Sequence, residues 1–156
     1  MSMGLVDVYV TNAAQYNGEG DEAVTITGTV SATEADAIAD VTSGVVTAAS
    51  ITADTASALN SALSDAGSQV NAYTLTISAG SAAATDLTSL DSKTSVAVNA
   101  ANVTTVTGSA TEVAAAYAAN TAGTITGLGN ENVTITGTTV ATLAELKAIN
   151  NATSEQ

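Results

Sequence analysis

The residues with chemical potential are few, and most are carboxylates. Asn17-Gly18-Glu19-Gly20-Asp21-Glu22 gathers three acids within a glycine-rich turn. Ca²⁺ takes about six to eight oxygens from such groups, which makes Glu19, Asp21 and Glu22 the candidate cation ligands. The stretch lacks the spacing of an EF-hand loop, and the Gly-rich Ca²⁺ nonapeptide works in tandem. A solvated acidic turn is therefore the expectation, with Ca²⁺ as the alternative. Asp36 and Asp40 stand one helical turn apart and form an acidic face with Glu34; Asp86 with Asp91 repeats the theme. Paired carboxylates can exchange protons with a substrate, but here no cation or His neighbours them, and solvated helix faces are expected.

Nucleophilic chemistry finds no support. Ser and Thr abound, yet a hydroxyl needs a base to become reactive. There is no His, Lys93 and Lys147 are the two cations, and neither stands in a Ser-x-x-Lys pattern. No Gly-x-Ser-x-Gly elbow is present. Gly127-Leu128-Gly129-Asn130 is a lone Gly-x-Gly, read as a corner between strands rather than a phosphate loop. Asn102, Asn132 and Asn151 open Asn-x-Thr triplets, which a Thr-rich chain produces by chance. The expectation is no catalytic residue, no cofactor and no enzyme.

Charge excludes two partner classes. Fifteen acids against two cations give a net charge of −13 over 156 residues. Nucleic acid is bound by basic side chains that displace counterions, and an anionic membrane surface needs them too. No apolar run is long enough to span a bilayer, and Met1-Ser2-Met3-Gly4 opens no signal peptide. Copies of so acidic a chain repel one another at low salt. High salt shortens the Debye length to about 3 Å at 1 M, which suits a marine or extracellular setting.

The elements are legible from pattern. Val24-Thr25-Ile26-Thr27-Gly28-Thr29 returns letter for letter as Val133-Thr134-Ile135-Thr136-Gly137-Thr138, with weaker copies at Ala49–Asp54, Tyr73–Ser78 and Val103–Gly108. Alternating Val, Ile and Thr suits a pleated strand. Each run precedes an Ala-rich helical stretch. Ser31 with Glu34 and Ser109 with Glu112 are capping boxes. The helices carry apolar stripes: Ala35, Ile38 and Val41; Ala56, Leu59 and Leu63; Ala84, Leu87 and Leu90; Val113, Ala116 and Tyr117; and Val140, Leu143, Leu146 and Ile149. Val45-Val46, Thr94–Val98 and Thr124–Thr126 read as short return strands. Ile26, Ile51, Ile77, Val106 and Ile135 fall at equivalent positions, spaced by about 25 to 29, within the period of a solenoid.

These units, Val-Thr-Ile-Thr-Gly-Thr followed by Ser-Ala-Thr-Glu-Ala-Asp-Ala-Ile, resemble the α/β solenoid repeats of large surface proteins of marine cyanobacteria and other bacteria. They are similar also to repeats in structural proteins of phages infecting such hosts. The resemblance covers residues 24–150 and carries no functional residue across. Those bacterial proteins are very long, so the chain is either a fragment or a small protein using the same coil.

The expected fold class is α/β: a short solenoid of about five strand–helix coils with parallel strands. The alternative is a doubly wound sheet of five strands. Residues 1–22 form a non-repeat strand and acidic loop, a cap or docking arm; residues 23–150 form the repeats; residues 151–156 are a polar tail. In the arm, Leu5, Val8, Tyr9, Val10 and Tyr16 are the expected partner contacts, since Tyr favours interfaces. Tyr9 packing over the first coil is the equal alternative. The expected function is a non-enzymatic structural protein of an outer surface, a phage virion component such as a capsid decoration or fibre protein. Self-association or docking on a capsid supplies its partner. A bacterial adhesin or surface-layer segment comes next, and an ice- or glycan-binding solenoid with exposed Thr rows third.

Overall fold

Helices begin where the sequence supplies an oxygen to receive their first N–H groups. In the computed structural model, which describes residues 20–64, 70–138 and 140–153, Ser31 caps α1 (Ala32–Ala39) and Ser109 caps α4 (Ala110–Ala122). Both capping boxes close as expected: the hydroxyl accepts from the Glu N–H, and the Glu carboxylate accepts from the Ser N–H. Thr55 caps α2 (Ala56–Ala62). A third box, Thr142 with Glu145, starts α5 (Leu143–Ala152), three residues later than the stripe from Val140 implies. Only α3 (Ala84–Lys93) starts without a side-chain cap. Each cap satisfies a donor that the helix cannot satisfy internally.

The strands are β1 (Val24–Val30), β2 (Val46–Ile51), β3 (Ala72–Tyr73), β4 (Gly80–Ala83), β5 (Val98–Asn99), β6 (Val103–Gly108), β7 (Ile125–Thr126) and β8 (Asn132–Ile135). Every pairing among the described residues is parallel. Sheets of three, three and two strands result, ordered β1-β2-β3, β4-β6-β8 and β5-β7. Paired residues lie about 21 to 27 positions apart, a spacing that repeat architectures share and that leaves room for one crossover helix. Consecutive helices touch in turn, α1 to α2 through α4 to α5. The five-stranded single sheet is not formed among the described residues.

Register departs from the sequence expectation. Ile26 faces Ala48, and Ile51 faces Val30. Ile77 bridges Asp54, Val106 faces Ala82, and Ile135 faces Gly108. The five apolar residues assigned to equivalent positions therefore do not form one row. Val45-Val46 reads as a short return strand, but Val46 opens β2, which continues to Ile51; Val24-Thr25-Ile26 pairs with Val46-Thr47-Ala48. Matching letters misled here because register follows which side chains point inward, and a one-residue slip would turn the whole strand over. A register shift between Ile26 and Thr29, with Gly28 at φ 145°, carries β1 past this mismatch.

The core is one cluster of small and branched side chains. Leu59, Leu63, Leu75, Leu87 and Leu90 are buried, as are Ile38, Ile77 and Ile125. Each contributes about 1.5–3 kcal/mol over an exposed counterpart. Ala35, Ala48, Ala84, Ala100 and Ala116 fill the remaining space, and Tyr73 and Tyr117 are the aromatic rings within it. Of the expected stripes, those of α2, α3 and α4 are buried throughout, and Val41 on the first is half-buried.

A Thr-Ser corner, unnoticed in the sequence, recurs. Thr42 Oγ1 donates to the Glu22 carbonyl (2.7 Å) and accepts from Gly44 N–H; Ser43 N–H and Oγ both donate to the Gly20 carbonyl. Thr94 Oγ1 donates to the Tyr73 carbonyl (2.8 Å) and accepts from Val96 N–H; Ser95 N–H and Oγ donate to the Asn71 carbonyl. Gly20–Glu22 thus stands under one corner as Asn71–Tyr73 stands under the other. A Cβ on Gly44 would lie 2.1 Å from the Glu22 carbonyl oxygen, so only glycine fits. No helix is long and apolar enough to cross a membrane among the described residues.

Candidate functional site

Asp36, Asp86 and Asp91, singled out in the sequence, and Glu145, which was not, link neighbouring units across the surface. Asp36 Oδ1 accepts from the N–H and hydroxyl of Ser64, at 2.7 and 3.0 Å. Asp86 Oδ1 accepts from Asn60 Nδ2 (3.0 Å), and Asn60 Oδ1 accepts from Ser89 (2.8 Å). Asp91 Oδ2 accepts from the Thr124 hydroxyl (2.9 Å), and Glu145 Oε1 from the Thr111 hydroxyl (2.6 Å). Each bond ties one helix to the next unit. Glu34 is held below the ordinary carboxylate range by the Ser31 N–H and hydroxyl. Glu145 is held down first by Thr111, then by Thr142. No two of these groups converge on a cleft where a substrate could sit.

The remaining polar candidates are occupied in the same way. Glu22 Oε2 accepts from Gly20 N–H (2.9 Å) and Asp21 N–H (3.3 Å), so the carboxylate folds back on its own turn. Among the described residues no cluster of three or more metal-ligating side chains occurs. Lys93 Nζ donates to the Asn60 and Leu63 carbonyls at 2.9 and 2.5 Å, closing the C-terminal end of α2 where the helix dipole favours a cation. The Gly127–Asn130 corner is braced by Asn120, whose side chain bonds both N–H and carbonyl of Leu128. Thr25 and Thr27 belong to the β1-β2-β3 sheet and Thr134 to the β4-β6-β8 sheet, so the two identical copies do not build one Thr row.

Glu131 escaped the sequence reading. It is buried, and its Oε1 accepts a short hydrogen bond from the Tyr117 hydroxyl. Its Oε2 accepts from Gly129 and Asn130 N–H at 2.8 and 3.0 Å. Burial, then the hydrogen bond and charge of Glu131, push the Tyr117 hydroxyl well above its ordinary value. The only sequence signal was an acid directly after a Gly-x-Gly-Asn corner, where free backbone donors cluster.

Above Glu131 lies a groove of about 310 Å³, walled by Asn132 and Val133 of β8 and by Leu146, Ile149 and Asn150 of α5. Here the expected stripe of α5 fails to bury. Ile149 is covered, but Leu143 is 71% exposed and Val140, just ahead of the helix, 90%. Leu146 and Ile135 are exposed beside them. β8 pairs with β6 on one edge and with no strand among the described residues on the other. Among the described residues, this last unit brings four exposed apolar side chains together with a strand edge that has no partner strand. The sequence-expected contacts Leu5, Val8, Tyr9, Val10 and Tyr16, and the candidate ligand Glu19, lie outside the described residues. No family model, no curated protein and no solved structure matches the chain.

Proposed function

We propose that the chain is a solenoid of about five α/β coils serving as a non-enzymatic structural protein of an outer surface, with a phage virion component in first place. The observation that carries this reading is the use made of its polar side chains. Asp36, Asp86, Asp91 and Glu145 are spent on rungs between units, and Glu34, Glu112 and Glu131 on local backbone donors. What remains outward is a strongly acidic skin, suited to a solvated outer face, and one apolar end, suited to assembly. A segment of a bacterial adhesin or surface layer uses the same architecture and is the second reading.

Two measurements test it. Mass spectrometry of purified virions, beside a cell-surface fraction of the host, should find the protein in many copies per particle; its absence from particles would sink the virion reading. Deleting one complete coil of about 25 residues should leave a shorter folded protein, as in other linear arrays. Collapse to an unfolded chain would overturn the solenoid.

A further inference from the structure

The uncovered last unit has a definable occupant. It carries Ile135, Val140, Leu143 and Leu146 exposed, beside a β8 edge that has no partner strand among the described residues. Apolar surface and unpaired strand backbone together need a partner offering the same two things. An acidic or basic ligand is not favoured there, because residues 140–153 hold one acid, Glu145, and one cation, Lys147. The chain as a whole carries −13. Two copies can therefore approach without direct charge repulsion at this neutral face, while elsewhere acid meets acid. The first unit offers no matching apolar surface among the described residues, since Val24, Ile26 and Ile38 are buried and none of the exposed large apolar side chains belongs to it. A head-to-tail chain of copies is thus disfavoured, and a face meeting its own equivalent remains.

We infer that the last unit is a two-fold self-association surface: α5 and the β8 edge of one copy pack against the same elements of a second copy. The contact is isologous, so it closes at two chains rather than growing into a filament. It extends outward the packing that already joins α4 to α5 and β6 to β8. The inference rests on the chain being an assembling structural protein, but it is tested on purified protein without any particle.

Sedimentation of the whole chain over a concentration series should show a monomer–dimer equilibrium, strengthened by added salt because screening relieves the repulsion of the acidic surfaces. Leu143→Asp should weaken dimerisation at least tenfold while the circular dichroism stays unchanged, since Leu143 is mostly exposed and absent from the core cluster. Because the natural chain has no Cys, Val140→Cys supplies a unique probe. In a two-fold dimer, oxidation or a short bis-maleimide should join it to its own equivalent. A monomer at every concentration and salt overturns the inference. So does open-ended growth, or a dimer indifferent to Leu143→Asp and uncrosslinked at Val140→Cys.

Discussion

Val24–Thr29 and Val133–Thr138 have identical residues and opposite fates. In the first, Val24 and Ile26 are each 4% exposed; in the second, Ile135 is 40% exposed and Val133 only half-buried. Their distances to the following helix differ as well. Val30 alone separates the first copy from its cap Ser31, whereas residues 139–141 separate the second from Thr142. The first copy runs straight into α1, which packs against the neighbouring strand β2. The second leads into α5, which is tethered to α4 by the Thr111–Glu145 rung yet leaves Leu143 and Leu146 uncovered. Local sequence sets the strand; what lies next to it decides whether its apolar face is core or surface.

The largest effect should come from truncating the closed unit. Ile38, on the inward face of α1, is fully buried, so Ile38→Ala should cost about 2–5 kcal/mol in urea unfolding, from lost transfer energy plus a residual cavity. Leu143→Ala at the open unit should stay within about 0.5 kcal/mol. Equal losses would mean that Leu143 is covered in solution.

Next comes the glycine that lets the first unit close. Gly44→Ala places a methyl against the backbone of Glu22 and should cost about 1–3 kcal/mol through forced backbone movement. Gly137, in the second hexapeptide, has open space around it, although φ is +94°. Gly137→Ala should therefore cost only the conformational penalty of a left-handed residue, about 1–2 kcal/mol. A Gly44 variant as stable as wild type would show that the Gly20–Glu22 segment does not hold the corner.

Much of the closed region was legible in the sequence. Ser31 and Ser109 cap their helices, Leu59, Leu87 and Val113 face the core, and Gly127–Asn130 forms the corner. These features depend on neighbours within about four residues, where helix and turn chemistry operates. The Thr-Ser corners and the Glu131–Tyr117 pair were not legible, because their partners lie 14 to 24 residues away. Register was misread for the same reason: Ile26 and Ile51 match in letters but each pairs with a different kind of residue. The open face of α5 was misread as core because its stripe has the right period, and period is silent about whether another layer follows.

Tyr117→Phe probes the boundary between the buried core and the open unit. It removes the hydroxyl donor from the buried Glu131 carboxylate and should cost about 1–3 kcal/mol, the penalty of an under-satisfied buried group. The wild-type hydroxyl has its folded pKa above its unfolded one. Its contribution is therefore intact below pH 10 and is lost as pH rises beyond that value. Alkaline unfolding followed by tyrosinate absorbance should begin above pH 10 in wild type. With Tyr9 and Tyr16 replaced by Phe, tyrosinate forming in the native state at the pH of free tyrosine, without unfolding, would contradict the buried placement of Tyr117 and Tyr73, whose hydroxyl is also raised by burial.

The smallest effect is the most discriminating, because it sets one capping box against another. Glu34 in the first unit and Glu145 in the last both have folded pKa values below the ordinary 4.5. A depressed carboxylate stabilises the fold above its unfolded pKa, and that contribution is lost as pH falls through the folded value. Both groups are exposed, so the change in global stability should be small; the titration itself is the readout. The leading cause differs: Ser31 for Glu34, and Thr111 across the helix–helix contact for Glu145. Thr111→Val removes that rung and leaves both boxes intact. Carboxyl NMR titration should then show Glu145 moving up towards 4.5 while Glu34 stays where it was. If Glu145 does not move, α5 is not tethered to α4 through that rung, and the open unit is held by Ile149 and by the pairing of β8 with β6.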